Sequence, residues 1–333
     1  MESLAQLEAL CERLYNSQNS IERAHAEGTL KCFSTNIDYI SQCQYILDNS
    51  SSSYALTMAS SSLLKQVTDQ SLPLQLRLDI RKYLLSYLAT RGAELEPFVI
   101  TSLIQLFCRV TKFGWLEDDR FREVVNETMN FLSQVPGHYA IGLKILNQLV
   151  CEMNQPHHGL STSRQRRIAS IFKEQSLMQI FQISLTSLHQ FKNDDESKLQ
   201  KLAVSLSLSC LSFDFLGTSF DESSDEIGTV QIPNSWRPIL EEHSTLQIFF
   251  EYYAITPSHF SKEALECLCR LASVRRSAFT NDSPRIQFLS HLMMGTKEIL
   301  QTGRGLSDHD NYHMFCRLLA RFKINFQVGL SYS

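Results

Sequence analysis

His309, His313 and Cys316 stand four and then three residues apart. On one helix that spacing turns them toward a common side, and imidazole with thiolate is a donor set that zinc accepts. The set is incomplete, because structural zinc takes four ligands and His309 falls in the polar link GLSDHDN, where it is expected to precede the helix. Cys267 and Cys269 are two positions apart, which on a helix separates them by about 200°, so they read as packing residues. His157 and His158 follow Pro156 in a polar link and are expected in solvent. No metal or other cofactor is expected.

The signatures of catalysis are missing too. There is no Walker A loop, no nucleophile elbow and no H-E-x-x-H, and Gly303 and Gly305 lack the third glycine of a dinucleotide fingerprint. The chain is not expected to be an enzyme. Arg164, Arg166, Arg167, Arg275 and Arg276 form short basic clusters, but a formal net charge of -4 argues against a nucleic-acid partner.

The segment Leu211 to Arg237 breaks the pattern of the rest of the chain. It leaves an apolar helical run through Phe213 and Phe215, carries Asp221, Glu222, Asp225 and Glu226 around two serines, and closes on Ile232, Pro233 and Trp236. Apolar residues at both ends predict an acidic loop, at about 216–236, tethered at each end. Such a loop is suited to contact a basic surface on a partner, or to be a solvated insertion.

The elements that must carry these residues are helical. Hydrophobic residues make up 43% of the chain, while only 12 Gly and 8 Pro punctuate it, too few for a loop-rich or all-β protein. Its nine cysteines are odd in number and mostly lie in apolar helical surroundings, the usage of a reducing compartment. The N-terminal MESLAQLEALCERLY is acidic and amphipathic, unlike a secretory signal, and no run is long and apolar enough for a membrane span.

Apolar stripes at spacings of three and four predict helix pairs at 4–14 with 20–33, 38–47 with 54–67, 73–90 with 97–114, and 121–132 with 139–153. Further helices are expected at 166–174, 176–191, 197–211, 246–253, 262–279, 285–301 and 311–326, and the terminal VGLSYS carries no helix signal. Hairpins recurring at a period of about 40 residues fit HEAT-type repeats, in which stacking supplies the core that one hairpin lacks. The expected fold is an all-α HEAT-repeat α-solenoid.

Several stretches carry a resemblance beyond periodicity. SLAQLE at the N-terminus, LPLQLRLDIRKYLLSYLATR (72–91), RVTKFGW (109–115), the acidic segment FDFLGTSFDESSDEIGTVQIPNSWR, LASVRRSAF (271–279), FLSHL (288–292) and NYHMFCRLLARFK (311–323) resemble the exportin-7-like, Ran-binding karyopherins of the importin-β superfamily, most of all the plant members.

The resemblance implies a nuclear transport receptor. It would bind Ran-GTP through its first repeats and carry cargo proteins past phenylalanine-glycine nucleoporins, moving between cytoplasm and nucleus. In that family Ran lies along the second helices of the first repeats, which points to Lys65, Gln66, Arg109 and Lys112 as exposed Ran-binding candidates, and to Asp221, Glu222, Asp225 and Glu226 as loop candidates. It further implies Ran-binding repeats over 1–154, more repeats interrupted by the acidic loop over 155–327, and a divergent tail at 328–333, where the family continues with further repeats; the chain reads as an N-terminal part. The alternative expectation is a non-transport α-solenoid scaffold.

Overall fold

The structure is a computed structural model. It describes residues 3–193, 197–215, 230–256 and 258–330, with the side chains of 258–260 and 325–330 excepted. The chain divides into two compact units, Met1–Ile168 and Ala169–Ser333.

The first unit is four helical hairpins. They pair α1 (Leu4–Asn16) with α2 (Ser20–Thr35), α3 (Ile40–Asn49) with α4 (Ser53–Asp69), α5 (Leu74–Arg91) with α6 (Pro97–Gly114), and α7 (Val124–Leu132) with α8 (Pro136–Asn154). Local chemistry sets the starts. Ser3 and Gln6 form a reciprocal capping box, Asn19 and Ser52 cap α2 and α4, and Pro97 opens α6 where its missing N–H is not needed. Pro136 also opens a helix instead of separating two, for the same reason, so α8 begins earlier than its apolar stripe predicts.

The second helices stack in file, α2 on α4, α4 on α6, and α6 on α8. Small side chains allow the closest approach, and Ser60 Oγ of α4 lies 2.5 Å from Ser102 Oγ of α6. Helix α6 is apolar nearly all round (Val99, Leu103, Leu106, Phe107 and Val110 are inaccessible) because neighbours cover both flanks. Each such side chain contributes about 1.5–3 kcal/mol by leaving water.

The second unit repeats the arrangement. α10 (Met178–Phe191) pairs with α11 (Ser197–Leu211), α13 (His243–Ile255) with α14 (Ser258–Ala272), and α15 (Asp282–Thr302) with α16 (His309–Leu330), while α11, α14 and α16 stack in file. A short α12 (Arg237–Glu241) precedes α13, and α9 (Thr162–Phe172) leads to α10. Two helices are expected around Gln175, but a π-helical turn, Lys173–Leu177, joins α9 to α10 with no break. No Pro or Gly stops the path there, and the wider turn absorbs the change of register.

Helix α16 likewise continues to Leu330, through residues expected to carry no helix, since a single Gly329 does not terminate it. Among the described residues the only β-pairing is an isolated bridge between Val230 and Val274. The all-α class and paired-helix architecture are those of HEAT repeats.

Candidate partner-binding face

Helices α4 and α6 turn one flank to the hairpin partner and two to stacking neighbours, α8 turns flanks to α7 and α6, and each of the three leaves one stripe less covered. On α4 the stripe is Thr57, Ser61 and Lys65; on α6 it is Thr101 and Gln105; on α8 it is Lys144, Gln148 and Cys151. The spacing of three and four keeps each set on one face. The stripes are polar, and Lys65 is exposed. Such a row offers hydrogen-bond partners and, at Lys65, one positive charge at the surface.

Of the four residues expected on this face, the three other than Lys65 are inside the protein. Gln66 and Lys112 are inaccessible, and Arg109 is 8% exposed. Gln66 Nε2 donates to the carbonyls of Phe33 and, at 3.2 Å, Asn36, closing the C-terminal end of α2. Arg109 donates to the Glu152 carboxylate, and its Nη1 reaches Thr68 Oγ1 at 2.8 Å. Lys112 Nζ donates to the carbonyl of Glu152 at 2.7 Å and to that of Gln155.

Arg109 and Lys112 do continue the stripe of Thr101 and Gln105 in spacing. The last turn of α8 and the following link fold over them. That link is held by Gln165, whose amide donates to the carbonyls of His157 and Leu160, both at 2.8 Å, and accepts from His157 N at 3.0 Å. His157, expected in solvent, is largely covered, with its Nε2 2.8 Å from Glu152 Oε1.

Charge balance explains why this interior is tolerable. Burial pushes the Glu152 carboxyl up, but its bonds to His157 and Arg109 outweigh that and hold it below the usual carboxylate range. Burial lowers Lys112 to about 8, against the pull of Glu152 and with the help of nearby Arg109. A second cluster lies at the end of α6. Arg77 and Arg164 both pair with Glu117 and both reach the Phe113 carbonyl, at 3.1 and 3.3 Å. Burial raises the Glu117 carboxyl, and the two guanidiniums bring it below its ordinary value.

These contacts share a design. Among the described residues positive φ occurs only at Gly303 and Gly305, so few helices here end on a glycine turn. Side chains of neighbouring helices close the carbonyl ends instead: Gln66 for α2, Tyr87 and Arg91 at Leu47 for α3, Arg77 and Arg164 for α6, Lys112 for α8, and Tyr252 at Leu188 for α10.

The acid-rich candidates Asp221, Glu222, Asp225 and Glu226 lie outside the described residues. Both flanks of their segment are described and are packed together. Phe215 meets Trp236 edge-on at 5.8 Å, Trp236 stacks on Phe181 at 5.0 Å, and Val230 N donates to Ser273 O at 3.0 Å.

The remaining chemistry-bearing residues do not converge. His309 is the first residue of α16 and stands in solvent, Cys267 and Cys269 are both buried, and among the described residues no three potential metal ligands come together. Burial pushes the Cys11 and Cys43 thiols up to about 12, which suits packing and not nucleophilic chemistry. Sequence reasoning missed a cavity of about 520 Å³ between α13 and α15, where His243 and His291 stack at 3.8 Å beside Phe250 and Met294. His243 and His291 lie far apart in sequence, and no local pattern joins them. Among the described residues no helix is long and apolar enough to cross a membrane.

Stacked helical hairpins place the chain in the HEAT-repeat class, and residues 26–90, from within α2 to near the end of α5, match the family model of the importin-beta N-terminal domain. Nearly the whole chain aligns with longer proteins. It is 44% identical to exportin-7-A of Xenopus laevis over 99% of its length, 41% identical to Ran-binding protein 16 of Drosophila melanogaster over 98%, and 39% identical to Ran-binding protein 17 of Homo sapiens over 98%. The chain is thus a homologue of exportin-7 and the Ran-binding proteins 16 and 17 in the importin-β superfamily. It spans 31% of the length of each of these relatives.

Proposed function

We propose that this chain binds Ran-GTP and serves in a nuclear export receptor. The observation that carries the reading is the alignment of almost the entire chain with proteins named for export and for Ran binding, together with an importin-β N-terminal match over a stretch that includes α4 and its polar stripe.

In this reading Ran-GTP lies along the open stripes of α4, α6 and α8, with Lys65 in direct contact. Gln66, Arg109 and Lys112 serve from behind, by fixing the helix ends that set the spacing of those stripes. Asp221, Glu222, Asp225 and Glu226, whose segment lies between packed flanks, regulate Ran or cargo release. Cargo proteins and phenylalanine-glycine nucleoporins are the further partners, neither nucleic acid nor a membrane is engaged, and the protein shuttles between cytoplasm and nucleus through the pore.

No reaction is catalysed. Ran-GTP and cargo favour the same arrangement of the repeats, so each raises the affinity of the other, and hydrolysis of GTP on Ran releases both. Stacked repeats suit such coupling because small rotations between neighbours add along the array. A pull-down with Ran loaded with GTP or GDP, run beside a longer form of the protein, tests the proposal. Retention of the GTP form alone supports it, while equal retention of both forms, or of neither, leaves a helical scaffold of another kind.

A further inference from the structure

Helices α14 and α16 lie side by side with their starts level. Asn311 Nδ2 donates to Ser261 Oγ at 2.9 Å, and Lys262 Nζ pairs with Asp310 Oδ2 at 3.0 Å. Both helices run on from there, packed together, with the same rise per residue, so Arg270 on α14 comes level with Arg317 on α16. Spacing keeps two rows of side chains at this seam. Lys262, Glu266 and Arg270 recur every fourth residue on α14, and Asp310, Arg317 and Arg321 stand seven and then four apart on α16.

The seam begins balanced and ends positive. Its first rung is the Lys262–Asp310 pair. At the far end the guanidiniums of Arg270, Arg317 and Arg321 have one carboxylate in these two rows, Glu266, whose Oε1 is 3.6 Å from Arg270 Nη2, beyond hydrogen-bond range. Arg270 Nε is buried without a hydrogen-bond partner, and Arg317 and Arg321 form no hydrogen bond or ion pair among the described residues. Burial raises the Cys269 thiol, while Arg317, Arg270 and Arg321 all pull it down, so the three charges surround one point. All three arginines are half-buried.

Other cations of this unit are matched, Lys192 with Glu251 at 2.9 Å and Arg276 with Asp282 at 2.7 Å. Here three positive charges face one negative, and like charges held together repel. The complement is acid, because a planar guanidinium fork takes a carboxylate through two parallel bonds. Glu266 and, one turn before it, Glu263 border the cluster and act on each other. A nucleic-acid backbone, negative along its whole length, would be repelled by them, whereas a short acidic run of a protein ends before it reaches them.

We propose that the Arg270–Arg317–Arg321 cluster is a docking site for a short acidic segment of a partner protein, whose glutamate or aspartate side chains seat in the guanidinium forks. The cluster belongs to the second unit and rests neither on Lys65 nor on the Ran reading.

The test is fluorescence anisotropy of the full chain with a labelled peptide of six glutamates, beside six glutamines, six lysines and a single-stranded RNA of six nucleotides. The glutamate peptide is expected to bind saturably, more weakly as salt rises, and more tightly than the others. Arg317→Gln and Arg321→Gln should each weaken it by about 2- to 5-fold, while Arg304→Gln, which removes an exposed charge before α16, should not. Unchanged thermal unfolding will show that the variants fold. Absence of saturable binding, equal binding of the lysine peptide or the RNA, or indifference to the Arg317 and Arg321 substitutions would overturn the assignment. So would tighter binding once Asp221, Glu222, Asp225 and Glu226 are neutralised together, since the chain's own acidic segment would then be the occupant.

Discussion

The ammonium of Lys112 lies 2.7 Å from the main-chain carbonyl of Glu152, so a lysine on helix α6 ends helix α8. Charged donors on helix carbonyls are among the stronger hydrogen bonds in proteins, and they oppose the negative end of the helix dipole. Contacts of this kind tie one hairpin to the next through its end as well as its apolar face.

Replacing Lys112 by Met removes that closure and leaves buried carbonyls unpaired. Urea unfolding should show a loss of about 2–3 kcal/mol. The difference between the parent and the variant should also depend on pH. Because Lys112 is lowered to about 8 in the folded chain, the unfolded chain holds more protons between that value and the ordinary lysine range. The parent should therefore gain stability relative to Lys112→Met as pH rises from about 8 toward about 10.4, and a flat difference would show the ammonium to be solvated.

Glu152→Gln strands Arg109 in a buried site. Breaking such a pair from one side costs about 3–5 kcal/mol. Since the folded Glu152 carboxyl is held below its ordinary value, its contribution is complete above the unfolded pKa of about 4.3 and disappears as pH falls through the folded one. Acid titration of stability should accordingly be shallower in Glu152→Gln than in the parent below about pH 4.3.

The base of the acidic segment can be read with light. The chain has two tryptophans, Trp115 and Trp236, both fully buried. In a Trp115→Phe background the emission of Trp236 reports its contacts with Phe181 and Phe215. Phe215→Ala should red-shift that emission and raise acrylamide quenching, with a stability loss of about 3 kcal/mol. Unchanged quenching would mean that the two flanks are not clamped.

Thiol accessibility offers a simple check of the packing. Cys316 is exposed, whereas Cys11, Cys43, Cys108, Cys267 and Cys269 are buried with raised pKa values. A disulfide reagent under native conditions should react fastest at Cys316, and Cys316→Ser should remove that phase.

The helices were legible because amphipathic spacing, capping residues and prolines act locally. Ser3, Asn19, Ser52 and Pro97 sit where such rules place them. The facing of Arg109 and Lys112 was not legible. Periodicity gives the angle of a residue about its own helix, while exposure depends on what a segment forty or more positions away lays over it, here Glu152, Gln155 and His157. Gln66 fails for the same reason, its partners Phe33 and Asn36 lying in the preceding hairpin. Lys65, one position away, points the other way and is exposed as expected. Buried polar groups that serve distant carbonyls leave no local pattern.

The measurement that bears most directly on the function is a calorimetric titration of the chain with Ran carrying a non-hydrolysable GTP analogue and with Ran carrying GDP, repeated for Lys65→Glu. The account predicts binding of the GTP form tighter by at least about tenfold, a difference of about 1.4 kcal/mol, and a weaker complex with Lys65→Glu at unchanged thermal stability. Equal affinity for the two nucleotide forms would contradict it.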